Sequence, residues 1–334
     1  MKALRALLMF VLVAAVAAAG ATAWWLNRPL ALASEPVEVS IDPGTSPRDI
    51  AQAWMQAGVQ APSLLLYQWF RWSGQSRKIR AGSYEIERGT TPITLLDKMV
   101  RGDVTSSTVR LIEGWTFRQF RAELANAEAL KPTTAALSDA EVMAALGAPG
   151  VAPEGRFHPD TYAYSKGSSD LAVLKRAYHA MQKRVDTVWQ ERAADTPLRS
   201  ADDALVLASI VEKETGAPAD RGRVAGVFVN RLRIGMPLQT DPTVIYGLGA
   251  AFDGNLRKRD LLADTPFNTY TRNGLPPTPI AMPGKAALLA AVRPDATKAL
   301  YFVARGDGSS EFSETLADHN RAVTLYQRGG QRSK

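Results

Sequence analysis

The chain has 334 residues, 46% hydrophobic and 22% charged, and no cysteine. That balance excludes a disordered or collagen-like chain. The missing thiols exclude disulfide scaffolds, Cys-ligated zinc, iron–sulfur centres and thiol nucleophiles. The 40 Lys and Arg exceed the 33 Asp and Glu and leave a net charge of +7. That sign suits a lipid surface, a wall polymer or nucleic acid without choosing among them. His158, His179 and His319 stand far apart in the sequence, so neither a metal nor a cofactor is expected. The length predicts about two folded domains.

Residues 1–5 carry Lys2 and Arg5, and no charged side chain occurs from Ala6 to Leu26. An apolar run of ~20 residues is long enough to cross ~30 Å of hydrocarbon as a helix. Trp24 and Trp25 stand at its far end, where interfacial aromatics belong. The basic residues before it predict a cytoplasmic N-terminus and an exported remainder. Ala21-Thr22-Ala23 offers the competing reading of a cleaved signal peptide. The run continues through Trp24-Trp25-Leu26, which favours an uncleaved single-pass anchor over residues 6–26, followed by a linker over 27–36.

Val37, Val39 and Ile41 alternate with polar residues, the pattern of a half-buried strand. Ser46-Pro47-Arg48-Asp49 predicts a helix start, with Ser as N-cap and Pro at the first helical position. This helix ends near Gly58, and a second follows through Leu64, Leu65, Tyr67, Trp69, Phe70 and Trp72. Ala81–Ile86 reads as a strand, and Gly89-Thr90-Thr91-Pro92 opens a third helix, echoing Gly44-Thr45-Ser46-Pro47. Residues 37–104 therefore form a small α+β domain. Thr105–Ile112 reads as a strand, Thr116–Gln119 as a capping box opening a helix, and Ala135–Gly150 as helical. Leu171–Ala193 predicts a long amphipathic helix and Asp202–Thr215 another. From there to a short helix at Lys285–Val292 the chain reads as strand-, turn- and proline-rich. A strand follows at Ala299–Ala304. Residues 105–327 make the larger α+β domain, and Arg328–Lys334 a frayed basic tail.

The helix over Asp202–Thr215 carries the strongest chemical signal. Leu207, Ile210, Val211 and Glu214 fall at i, i+3, i+4 and i+7, which puts them on one face. A carboxyl aimed where the core aliphatics point is partly desolvated, so it keeps its proton nearer neutral pH, as a general acid must. Glu212 leaves the helix on another face, and Lys213 faces solvent. On the helix alone, a Glu214 that turns to water or pairs with an arginine is the alternative. Downstream, proline-stiffened loops carry amides, hydroxyls and tyrosines, the groups that hold sugars.

Ala208-Ser209-Ile210-Val211-Glu212-Lys213-Glu214-Thr215, Val227–Leu232, Leu238-Gln239-Thr240-Asp241-Pro242-Thr243-Val244-Ile245-Tyr246-Gly247, Asn268-Thr269-Tyr270 and Gly274-Leu275-Pro276-Pro277 together closely resemble the YceG-like endolytic murein transglycosylases. Glu154–Tyr162, Tyr301–Ala304 and His319-Asn320 resemble further motifs of that family. The resemblance implies an inner-membrane protein facing the periplasm that cuts nascent peptidoglycan glycan strands internally. It implies a LysM-like first domain and Glu214 as the essential acid. Gln239, Asn268 and Tyr270 are the expected sugar contacts, with Tyr246 beside them. Asp241 either joins them or holds the loop.

A lytic transglycosylase needs one carboxylate, because the C6 hydroxyl of N-acetylmuramic acid is its nucleophile. The rivals are a muramidase using water with Asp241 as second carboxylate, and a non-catalytic wall-binding scaffold. Peptidoglycan synthases of the penicillin-binding class are candidate partners. Nucleic acid is not, since the basic residues are dispersed and the chain is exported.

Overall fold

The computed structural model describes residues 2–33, 36–104 and 106–328. The fold is a mixed α/β arrangement with one N-terminal apolar helix, and it separates into two compact units. The first comprises Met1–Thr108, Glu128–Lys131 and Ala163–Ser168; the second comprises Val109–Ala127, Pro132–Tyr162 and Ser169–Lys334.

In the first unit, α1 (Lys2–Leu26) contains the segment Leu7–Leu26, with mean hydropathy 2.2 and none of it buried. Those 20 residues rise ~30 Å as a helix, enough to cross a bilayer. Then come β1 (Ala31–Leu32), β2 (Val37–Ile41), α2 (Pro47–Ala57), β3 (Val59–Gln60), α3 (Ser63–Trp72), β4 (Gly82–Ile86) and α4 (Pro92–Arg101). β2 and β4 pair antiparallel from Val37↔Ile86 to Ile41↔Gly82. Val37, Val39 and Ile41 face a core that includes Trp54, Phe70, Leu95 and Met99. The two echoing tetrapeptides do the same job. Ser46 accepts the Asp49 N–H and Thr91 the Thr94 N–H, each ahead of a proline in the first turn. Both turns thus lead from one of two paired strands into a helix, satisfying end N–H groups that the helix leaves open.

The second unit contains α5 (Phe117–Asn126), α6 (Asp139–Ala145), α7 (Asp170–Gln190), α8 (Ala201–Glu214), α9 (Arg221–Arg233), α10 (Asp241–Leu248), α11 (Lys258–Leu262) and α12 (Lys285–Val292). It ends in the hairpin of β7 (Tyr301–Ala304) and β8 (Ser310–Ser313), then α13 (Leu316–Val323) and a π turn over Thr324–Arg328. Paired strands β5 (Ser106–Arg110) and β6 (Thr161–Ser165) contain the unit boundaries. α8 is the central element. Every residue from Ala204 to Val211 is buried, in a core shared with α7, α9 and α12.

Two expectations need correction. The stretch between α8 and α12 holds helices α9, α10 and α11 and no strand. Val224-Ala225-Gly226-Val227-Phe228-Val229 resembles a buried strand because α9 is enclosed along this whole length, and a fully buried helix shows no amphipathic period. Within Ala135–Gly150 the helix is only the short α6, capped by Ser138 and Glu141. Residues 329–334 of the expected tail, 34–35 of the linker and Thr105 lie outside the described residues.

Candidate active site

Glu214 is the last residue of α8 and lies in a cleft of about 810 Å³ in the second unit. Arg231 from α9, Gln239 and Asp241 at the start of α10, Tyr270 from the following loop, and Tyr301 and His319 from the C-terminal hairpin and helix also line it. The cleft is therefore built by segments spread over more than one hundred residues of chain.

Local chemistry aims each group. Thr240 is the N-cap of α10, yet its hydroxyl makes no cap bond. It donates to Oε1 of Glu214 instead. A buried threonine cluster holds it there. The Thr240 N–H donates to Thr269 Oγ1 at 3.1 Å, and the Thr243 hydroxyl donates to the Thr240 carbonyl at 2.8 Å. Gln239 adopts φ +48°, a left-handed conformation that costs a non-glycine residue ~1 kcal/mol or more. Its N–H is fixed to the Thr269 carbonyl at 3.0 Å, so the strained residue turns the chain into the cleft at a defined point.

Burial pushes the Glu214 pKa up, and the Asp241 charge pushes it further; the Thr240 hydroxyl bond and the Arg231 charge pull it down. The Arg231 guanidinium donates to the Leu300 and Leu238 carbonyls, each at 2.7 Å, and lies over the Tyr301 ring. This fixes a cation near Glu214 without a carboxylate of its own. The Tyr270 hydroxyl donates to Asp241 Oδ1 at 2.5 Å. Burial and that carboxylate push the Tyr270 pKa up, which keeps the phenol a donor. His319 stacks on Tyr301 with ring centroids 5.3 Å apart. Burial and Arg231 push its pKa down, favouring the neutral ring.

The cleft thus brings together Glu214, Gln239, Asp241 and Tyr270. It leaves out Asn268 and Tyr246. Asn268 is buried, and its amide donates to the carbonyls of Asp260, Leu261 and Ala263 while its oxygen accepts from the Tyr270 N–H. Its amide N–H groups are spent on bracing the loop, and its oxygen holds the Tyr270 backbone, so it acts on the cleft through Tyr270. Tyr246 packs edge-on against Phe267, and burial together with the neighbouring buried Glu154 carboxyl pushes its pKa up. Arg231, Thr240, Tyr301 and His319 complete the site, and their only signal in the sequence is their place inside the quoted motifs. Glu212 accepts the Gly284 N–H at 2.9 Å and so ties α8 to the first turn of α12. Among the described residues no group of His, Asp and Glu is placed to hold a metal ion.

Comparison with known proteins gives a consistent picture. A Bacillus subtilis protein named endolytic murein transglycosylase is 40% identical over 174 residues, 52% of this chain and 48% of that protein. A Streptococcus pneumoniae protein of the same name is 24% identical over 323 residues, 87% of this chain and 58% of that protein. The chain spans about half the length of the curated relatives it matches. The crystal structure of a yceG-like protein from Listeria monocytogenes matches with a TM-score of 0.53 at 27% identity, over 86% of this chain and 99% of that one. The YceG-like family model matches residues 39–325, nearly everything after the apolar helix and its linker, and the chain belongs to that family.

Proposed function

We propose that the protein is a membrane-anchored lytic transglycosylase that cleaves peptidoglycan glycan strands internally, between N-acetylmuramic acid and N-acetylglucosamine. The observation that carries this reading is Glu214, a largely buried carboxyl on the wall of a large open cleft, with its pKa raised and a single hydroxyl donor on it. In the proposed reaction Glu214 gives its proton to the bridging oxygen as the C1–O bond breaks. The C6 hydroxyl oxygen of the same muramic acid closes on C1, and its proton passes to the Glu214 carboxylate. A 1,6-anhydro end and a shortened strand result, no water is consumed, and Glu214 returns to its starting state. The nucleophile is part of the substrate and has a high effective concentration, so a second carboxylate is unnecessary. Asp241, held by Tyr270, then serves to tune Glu214 and position sugar alongside Gln239.

Around this centre we assign the remaining roles. Helix α1 spans the inner membrane with the N-terminus cytoplasmic, as the basic residues ahead of it favour. The cut limits strand elongation, and synthases that extend the strands are the natural partners. The small α+β unit suits the LysM-like role that family resemblance implies.

The test is product mass from purified glycan strands. Cleaved ends one water lighter than reducing ends support the transglycosylase; reducing ends would identify a muramidase. Glu214→Gln keeps size and hydrogen bonding but has no acid proton, so turnover should fall ~10²–10⁴-fold. Glu212→Gln keeps an acceptor for Gly284 and should retain most activity. An inactive Glu212→Gln beside an active Glu214→Gln would overturn the assignment.

A further inference from the structure

We propose that the outward face of α3 docks into the headgroup layer of the same membrane that α1 crosses, so that the first unit lies on the bilayer as well as being tethered to it. The proposal rests on reading α1 as a transmembrane anchor. Three observations lead to it.

The first is the face itself. Leu64, Leu65 and Trp72 are 64%, 45% and 74% exposed, while Leu66 and Phe70 on the opposite side of α3 are fully buried. Positions 64, 65, 68 and 72 share one helix face. Single exposed apolar residues are ordinary. Here, among the described residues, α3 carries every large exposed apolar side chain of the first unit outside α1. Trp72 offers an amphipathic ring of the type that settles at a bilayer interface.

The second is charge. From Val59 to Tyr84 the sequence contains Arg71, Arg77, Lys78 and Arg80 and no acidic residue, and all four cations are exposed. Leucine and tryptophan flanked by cations match a lipid surface with anionic headgroups, where the apolar groups enter and the cations stay at the phosphates.

The third is the tether, which selects this occupant over others. α1 ends at Leu26, and Trp25 already packs against the core of the unit. Leu30 is buried, with its N–H on the Thr90 carbonyl at 2.8 Å. Ala31 pairs with Gln60 in β3, and α3 begins at Ser63. The five steps from Leu26 to Ala31 reach at most ~18 Å at ~3.3–3.6 Å each. The strand pairing therefore holds the start of α3, where Leu64 and Leu65 sit, close to the plane where the span leaves the hydrocarbon.

The absence of cysteine permits a direct test on the full chain. Single variants Leu64→Cys, Trp72→Cys, Val13→Cys and Asp42→Cys are nitroxide-labelled and reconstituted in phosphatidylethanolamine–phosphatidylglycerol vesicles. Collision with oxygen and with a water-soluble nickel chelate is then measured. Val13 lies in α1 and reports the anchor; Asp42 is exposed on the turn at the end of β2 away from Val37. The expected result is a buried Val13 label, an aqueous Asp42 label, and Leu64 and Trp72 labels whose oxygen-to-nickel collision ratio exceeds that of Asp42 several-fold. Leu64 and Trp72 labels equal to Asp42, with Val13 buried, would overturn docking while leaving the anchor intact and assign the face to a wall glycan or protein. An aqueous Val13 label would overturn the anchor and docking together.

Discussion

Glu154 offers a quantitative test of the electrostatics inside the second unit. The residue is 6% exposed. It accepts the Phe117 N–H at 3.0 Å, and the Tyr246 hydroxyl beside it also favours the charged form. Burial outweighs both and pushes its pKa up to about 7, from an ordinary value of 4.5. Between those two values the folded chain holds a proton that the unfolded chain has released. The associated stability is complete below the ordinary value, is lost as pH rises, and is gone above about 7. At ~1.4 kcal/mol per pH unit the loss amounts to about 3 kcal/mol. Glu154→Gln keeps the acceptor for Phe117 and removes the titration. Thermal melting of the full chain in detergent, wild type against variant from pH 5 to pH 8.5, isolates this one group because all others cancel. The variant should gain on the wild type as pH rises, by about 6–12 °C for a unit of this size. An offset common to every pH reports the packing of the amide. Parallel melting curves across the whole range would refute the assignment of a buried, protonated Glu154.

Two further outcomes follow from contacts at and behind the site. Thr240→Val removes the one hydroxyl on Glu214 at nearly constant shape; a lost bond to the charged form raises the Glu214 pKa, so the basic limb of the pH–rate profile for strand cleavage should move up by about 1–2 pH units, and an unmoved limb would show that Thr240 does not act on the acid. Gly155→Ala places a methyl group 2.4 Å from Pro279 Cβ at a φ of +78°, which should cost about 2–5 kcal/mol, read as a lowered melting temperature; wild-type melting would mean that the Pro279 loop yields freely.

The individual elements show which signals a sequence carries. The bounds of α8 and α12 were legible because capping residues and apolar runs are local. So were the turns before α2 and α4, whose Ser-Pro and Thr-Pro pairs satisfy helix ends wherever they occur. The inward placement of Glu214 was legible too, though the reasoning from one apolar face is incomplete. All of Ala204–Val211 is buried, so Leu207, Ile210 and Val211 do not define a unique inward stripe. What sets Glu214 apart is its place at the end of a helix enclosed by α7, α9 and α12, where the core opens into the cleft. α9 was hidden by the same enclosure. Asn268 and Tyr246 mark the other limit. An amide or phenol on a proline-rich loop has the same appearance in sequence whether it holds a sugar or the loop itself. Only the three carbonyls around the Asn268 amide and the carboxyl against Tyr246 separate the two uses.

The arrangement around Glu214 also bears on why one carboxylate suffices in the proposed reaction. An acid that must later act as base has to be protonated at rest yet tolerate ionisation midway. Burial and Asp241 favour the protonated form, whereas the Thr240 hydroxyl and the Arg231 cation favour the ion. These influences come from different elements: Thr240 is fixed by the threonine cluster and Arg231 by the carbonyls of Leu238 and Leu300. Neither partner must move when the proton leaves, which is the condition under which fixed dipoles and charges lower a barrier. Asp241 is tied to the Tyr270 phenol, whose proton stays in place because its pKa is raised. In the proposed reaction the attacking hydroxyl belongs to the sugar itself, so no second carboxylate has to hold or activate a water.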